Sequence, residues 1–467
     1  MRGAVTDSRR ARRLRGHGAS LLLALLCGVP TASASIYDIY GFGARGISLG
    51  GAMVTLADDF SATFYNPAAV TLPSDVRYGG SFIVAAPFFD VGLARPACTE
   101  GAVLCSARLG AFGYSRREAH IPETFAGFSL GWVIPFDVGL GRLSTGVSLY
   151  VPTINLIRAE ALDPATPQFY LYQNLPDQLV ILLSLGWAPL DWFSVGAGVQ
   201  VLADVFGSAG FALDAGNGSF DSGDIEVEIV PKMAATAGVL FMPSEDLRIG
   251  LSYRQELGLS FALPAQVDVN GLLVIGLDTA GSVLYTPHQL LFGASYRVAP
   301  INLTLAAGLD WALWSRAPDP SPQVAVRVGG DVLETLGLDG TLDVGDDAPP
   351  IDLGFRDTVT SRLGVEWGPL EWLVVRAGYA FRPTPAPKAT GTANYLDNDT
   401  HQIGFGARFT FMDPLAVHPK PISLDIGNMF SVLARRVVRK SDLRDPVGDL
   451  EHSGFAYTLS VTVTHEY

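Results

Sequence analysis

The sequence predicts an all-β fold: a transmembrane antiparallel β-barrel of about 14 strands with a small N-terminal plug in its lumen. Three observations lead there. Segments of about 10 to 14 residues alternate apolar and polar side chains, a period that puts the two sets on opposite faces of a strand. The connections alternate between short turns and stretches of roughly 15 to 40 residues rich in Pro, Gly and Asp, the layout of an outer-membrane barrel. Five of the seven tryptophans flank the short turns, as an interfacial aromatic girdle would. The chain is 48% hydrophobic and 17% charged, with 51 glycines. Past its N-terminus it has no apolar run long enough for a spanning helix, so a helical membrane protein is not expected.

The elements follow in order. Residues 1–34 read as a secretory signal peptide: arginines from Arg9 to Arg15, the apolar "ASLLLALLCGV", then the small-residue site Ala32-Ser33-Ala34. Cleavage after Ala34 removes six of 32 basic residues and one of 46 acidic residues, which leaves 26 and 45, a charge near −19. Such acidity argues against nucleic acid as a partner. Residues 35–73 are small and apolar, with a helix-like patch from Leu56 to Phe64 that ends at the Asn66-Pro67 bend, because the residue before proline avoids helical geometry. This is the plug. Cys98 and Cys105 enclose a short loop, and an exported chain permits a structural disulfide there.

The barrel is expected over residues 74–467. Its strands are placed near 76–87, 122–136, 142–156, 178–188, 191–206, 228–242, 246–260, 284–298, 301–315, 357–368, 371–382, 399–412, 420–433 and 452–466. An even count suits closure, and closure matters because an open sheet edge does not survive in lipid. The last strand shows the pattern well: Tyr457, Leu459, Val461, Val463 and Tyr467 share one face, and Thr458, Ser460, Thr462, Thr464 and Glu466 the other. By the same alternation Arg248, Arg254, Glu256, Arg362, Glu366, Arg376, Arg382 and Arg408 should point into the lumen. The short turns, such as "APLDW" between Trp187 and Trp192 and "GPLEW" after Trp367, mark the periplasmic rim.

Two catalytic-looking matches fail on context. "GFGARG" from Gly41 follows a cleavage site, not the core strand that a dinucleotide fold requires. "GFSLG" from Gly127 places Ser129 in mid-strand, where a nucleophile elbow needs a strand-turn-helix. The seven histidines are scattered, with no metal-binding spacing. No cofactor, metal or enzymatic activity is expected.

"ADD" at Ala57–Asp59 followed by "NPA" at Asn66–Ala68, after a Gly-rich start, resembles the N-terminal hatch of the long-chain fatty acid transporter family (FadL/TodX type). "DWALWS" from Asp310, "TPHQLLFGASYRV" from Thr286 and the stretch from Phe355 to Pro385 resemble its later strands. The resemblance implies a monomeric outer-membrane channel in which a hydrophobic molecule is captured outside, passes to a pocket in the barrel and is released when the hatch shifts, by a sideways exit at a kink in the third strand. Fatty acids or hydrocarbons would be the ligands, and outer-membrane lipids the surroundings. Carried onto this chain, Phe60, Phe64, Tyr65, Asn66 and Pro67 would line the substrate site, with Arg158 and Arg376 as candidates to hold a carboxylate. Phe169, Tyr170, Leu171 and Tyr172 would form an exposed capture cluster, and Pro152 would break the wall. The alternative is a structural or assembly barrel that binds partner proteins without transport.

Overall fold

The computed structural model describes residues 36–93, 119–154, 164–172, 178–214, 219–269, 273–321, 323–331, 335, 342–345, 351–413, 420–442, 445 and 447–467. The expected signal peptide, the Cys98–Cys105 pair and Arg158 lie outside the described residues.

The wall has fourteen strands: β1 (Arg77–Leu93), β2 (Phe125–Asp137), β3 (Arg142–Pro152), β4 (Val180–Leu190), β5 (Phe193–Asp214), β6 (Ser219–Phe241), β7 (Leu247–Arg254), β8 (Gln289–Val298), β9 (Leu303–Ala312), β10 (Thr358–Leu370), β11 (Leu373–Arg382), β12 (Thr400–Phe411), β13 (Ile422–Val438) and β14 (Leu450–Glu466). Each pairs antiparallel with the next. The ring closes where β14 runs beside β1 from Leu93↔Leu450 to Arg77↔Glu466, so the wall has no free edge for lipid to meet.

The alternation seen in sequence becomes two surfaces. On β2, Phe128, Leu130 and Trp132 are exposed, whereas Ser129, Gly131 and Val133 face inward and are buried. Leu185, Leu305, Leu309, Leu363, Ile403 and Phe405 continue the outer apolar belt. A belt this continuous suits lipid, not water. Trp132, Trp187, Trp192, Trp367 and Trp372 are all between 42% and 51% exposed near the short turns. The indole of Trp187 donates to the Leu140 carbonyl at 3.0 Å, giving the polar handle an interfacial Trp needs. Among the described residues no helix is long and apolar enough to cross a membrane; strands make the crossing.

The boundaries depart from expectation on one side. β5 and β6 run 22 and 23 residues, about 70 Å of strand at ~3.3 Å per residue. That is far more than the apolar belt requires. β7 stops at Arg254, so Glu256 lies beyond its end, where it meets Tyr285 and Arg316. The stretch read as loop after β7 carries further strands at Leu257–Val269, Leu273–Thr286, Gln323–Gly329 and Leu342–Gly345. The cause is an unpaired edge. β4 ends as a neighbour of β5 at Val180↔Leu202. Beyond it, residues 262–268 pair in parallel with residues 206–212 of β5, and the added strands continue that sheet.

Residues 36–73 fill the lumen with α1 (Ile36–Tyr40), α2 (Gly43–Ser48), α3 (Ala62–Tyr65) and a 3-10 turn at Pro67–Thr71. The single Leu56–Phe64 patch is replaced by shorter pieces. Gly50 and Gly51 take φ of +59° and +78° and turn the chain across the lumen after α2, a conformation glycine adopts without steric cost.

Candidate functional site

The wall meets the N-terminal segment through missing side chains. Every wall strand from β1 to β8 and from β10 to β13 places a glycine against it. A Cβ at Gly238 would stand 1.9 Å from Asn66 Oδ1, one at Gly378 2.1 Å from the Leu49 carbonyl carbon, and one at Gly427 2.1 Å from the Ala44 oxygen. Many of these glycines pair across the sheet, as in Gly79↔Gly131, Gly186↔Gly196, Gly196↔Gly238 and Gly364↔Gly378. Strand glycines at such positions mark where another backbone approaches closely.

Asn66 fixes the segment to the wall. Its Oδ1 accepts from the Ala68 amide at 3.0 Å and caps the 3-10 turn, while its Nδ2 donates to the carbonyls of Val54 at 3.0 Å and of Val239, on β6, at 3.2 Å. Its backbone is extended (φ −163°, ψ 109°), as a residue before proline prefers. Pro67 occupies the first position of the turn, where its missing N–H costs nothing, and its carbonyl sits against Gly196. The Asn-Pro-Ala sequence is thus a cap, a bend and a small residue for close approach. The Tyr65 hydroxyl accepts from the Phe42 amide and donates to its carbonyl. Burial pushes that phenol up to about 12.

A chain of alternating charges runs through the lumen. Arg77 pairs with Glu466 and Asp58, Asp58 with Arg45 at 2.9 Å, and Arg45 with Glu366 through two bonds of 2.9 and 3.0 Å. Arg376 joins Glu366 at 2.6 Å and also pairs with Asp425, which Arg408 reaches at 3.0 Å. Four cations face four anions. Burial alone would raise the Asp58 carboxyl, but Arg45 and Arg77 outweigh it and hold it well below the usual carboxylate range. Separately, Arg254 of β7 pairs with Asp38 at 2.8 Å and lies 4.1 Å over the Phe64 ring. Arg362 donates to the Gly50 carbonyl at 2.9 Å.

Above the segment, the long loops add an aromatic layer. Tyr40 packs edge-on against Phe125 and Tyr172, and Phe89 against Phe169 and Tyr172. Tyr170 meets Phe355 and Tyr395. A buried polar knot braces it: Arg382 holds Asp397 and the Tyr172 hydroxyl, Asn398 donates to Ala434 and His452 carbonyls, and Lys440 reaches Asp445 at 3.2 Å. Among the described residues, cavities border the segment. One of about 20 Å³, room for a single water, is lined by Tyr37, Asp38, Phe64, Tyr65, Arg254 and Arg362 among others. A polar one of about 130 Å³ is lined by Asp58, Arg77, Arg408, His465 and Glu466 among others.

A family model described as "Outer membrane protein transport protein (OMPP1/FadL/TodX)" matches residues 181–466. The chain belongs to this family. It is similar to alkane uptake protein A of Marinobacter nauticus, at 22% identity over 316 residues, 64% of this chain and 65% of that one. The match therefore spans just under two thirds of that relative. Among solved structures it resembles a FadL homologue of Pseudomonas aeruginosa (TM-score 0.58, 16% identity, 94% of this chain and 99% of that one) and the toluene transporter TodX of P. putida (TM-score 0.53, 15% identity, 92% and 99%). These likenesses show the fold, a closed 14-strand antiparallel β-barrel. Members of the family are transport channels.

Within this FadL/TodX-type barrel the expected site residues separate. Phe64 and Tyr65 line the small cavity. Phe60 packs instead against Gly79 and Gly131, and Asn66 and Pro67 are fully committed to holding the backbone. Arg376 is buried between Glu366 and Asp425, so its charge is already neutralised and does not suit a ligand carboxylate. The Phe169–Tyr172 cluster is not exposed: Phe169, Leu171 and Tyr172 are buried and Tyr170 half-buried, since four aromatic neighbours offer them a better environment than water. Pro152 is the last residue of β3, opposite Gly127 on β2. The β4 pairing has already ended at Tyr150↔Val180, so the proline terminates a strand and does not interrupt one. Sequence reasoning passed over Tyr37, Phe42, Arg45 and Tyr150, and the "YLDND" run from Tyr395. That run reads as turn-forming polarity, yet Asp397 and Asn398 are fully buried.

Proposed function

We propose that this protein takes up hydrophobic molecules, hydrocarbons or long-chain fatty acids, passively across the outer membrane, working as a monomer in outer-membrane lipid with residues 35–73 as a movable hatch. The observation that carries the reading is the two-part seal. The lumen is occupied by a short segment whose seat in the wall is largely glycine and whose upper surface meets a buried aromatic layer. That arrangement suits a path for apolar solutes that stays shut to polar ones. The names of the relatives, an alkane uptake protein and a toluene transporter, support an apolar cargo. The neutralised Arg376 favours uncharged hydrocarbon over fatty acid.

The test is uptake of labelled hexadecane and labelled palmitate by outer-membrane-competent cells that lack their own transporter. Three forms are compared: no protein, the full protein, and a barrel lacking residues 36–70. Uptake that needs the full protein, and that changes to unselective leakage without the segment, supports the reading. A well-inserted barrel that moves neither compound refutes it.

A further inference from the structure

The seat of the hatch is divided by chemistry. On the arc from β7 to β14 the hatch is tied by charge and directed hydrogen bonds: Asp38 to Arg254, Arg45 to Glu366, the Gly50 carbonyl to Arg362, the Ile39 carbonyl to Gln402 Nε2 at 2.9 Å, and the Ala44 amide to Thr462 Oγ1 at 2.9 Å. On the arc from β2 to β6, among the described residues, no ion pair joins hatch and wall. There Phe60 rests on Gly131, Val70 on Gly146 and Gly186, and Tyr37 sits edge-on to Tyr150 with ring centroids 5.8 Å apart. One cation touches this arc, Arg142 of β3, which donates to the carbonyl of Pro73 at 3.2 Å where the segment ends; the links along Phe60–Val70 are neutral, such as Thr63 Oγ1 to Ser148 Oγ at 2.9 Å and Ser194 Oγ to the Ala68 carbonyl at 3.3 Å.

We propose that the apolar ligand passes the hatch along the β2–β5 seam, between Phe60–Val70 and the wall, while the β7–β14 side remains attached as the hinge. The inference rests on the uptake reading and adds its route. A hydrocarbon entering the β2–β5 seam exchanges apolar contacts for apolar contacts. Entering on the other arc, it would separate buried charges and leave each without its partner. The aromatic stack of Tyr37, Phe42 and Phe64 lines the inner edge of the seam and offers faces to an uncharged chain or ring.

Two hydroxyl pairs of equal length, one on each arc, make the test symmetrical. Thr63 and Ser148 lie across the seam, and Thr55 and Ser295 (Oγ–Oγ 2.9 Å) tie the hatch to β8. Cysteine pairs at both places have side chains close enough to cross-link. In a background with Cys98→Ser and Cys105→Ser, the Thr63→Cys/Ser148→Cys and Thr55→Cys/Ser295→Cys proteins are oxidised in cells and uptake of labelled hexadecane is measured before and after reduction. The expected result is at least a tenfold loss for the oxidised 63–148 pair, restored by reductant, and uptake within twofold of the parent for the oxidised 55–295 pair. Recovery on reduction shows that the barrel is folded. Undiminished uptake through the oxidised 63–148 pair overturns the route, as does equal blockage by the 55–295 pair. A parent that takes up no hydrocarbon refutes the uptake reading itself, a result distinct from either.

Discussion

Replacing Arg45 by methionine should unseat the hatch without disturbing the wall. Arg45 makes four charge-assisted bonds: two to Glu366, one to Asp58 at 2.9 Å and one to the Leu56 carbonyl at 2.9 Å. The substitution keeps the apolar stem and removes the charge. Loss of one partner of a buried ion pair costs about 3–5 kcal/mol. Here the lower end applies, because Glu366 retains Arg376 and Asp58 retains Arg77. A loss of about 3 kcal/mol raises the unseated fraction roughly 100-fold, at ~1.4 kcal/mol per factor of ten. Purified protein in planar bilayers reports this directly as transient ion-conducting openings, rare in the parent and about 100-fold more frequent in Arg45→Met. Heat-induced unfolding of the barrel should shift much less. If Arg45→Met remains as silent as the parent in a correctly folded barrel, the charge chain does not hold the hatch and the reasoning fails.

Three further outcomes are expected. Gly238→Ala places a methyl 1.9 Å from Asn66 Oδ1, whereas Gly308→Ala finds its nearest neighbour at 3.3 Å; the first should open conductance and the second leave it unchanged within twofold. Tyr65→Phe leaves the Phe42 amide and carbonyl without their partner and should destabilise the hatch by about 1–3 kcal/mol, read as faster protease cleavage within residues 36–73. The Asp58 carboxyl is depressed in the folded protein. Its contribution is therefore complete above its unfolded value of about 4 and is lost as pH falls toward the folded one. Opening frequency should be flat from pH 8 to about 5 and rise on stronger acidification, and Asp58→Asn should show the acid behaviour at neutral pH.

The wall was legible because lipid enforces its pattern. The period of two, the short turns and the tryptophans placed all fourteen wall strands, including β14, whose Thr458, Ser460 and Thr462 face inward as the alternation requires. The extensions of β5 and β6 were not legible, since beyond the membrane no lipid imposes alternation and Gly, Ser and Asp read as loop. Residue types at the site were found more readily than their roles. Asn66 was marked by its proline, but the one of its three backbone bonds that ties it to the wall goes to Val239, far away in sequence. Arg376 looked free because its partners, Glu366 and Asp425, sit on β10 and β13, and only the register brings them together. The aromatic run at Phe169 looked exposed because Phe89, Phe355 and Tyr395, which cover it, come from three distant segments.

Glycine contacts and ion pairs divide two tasks that a stopper must perform. The close fit is made by side chains and backbone of the segment lying on bare wall glycines, so its tightness depends on shape and not on charge. The grip is made by paired charges, so its strength follows salt and pH. Under the proposed hatch motion, how often the segment lifts would therefore be adjusted by single substitutions in the charge chain, while the close fit of the closed state stays unchanged.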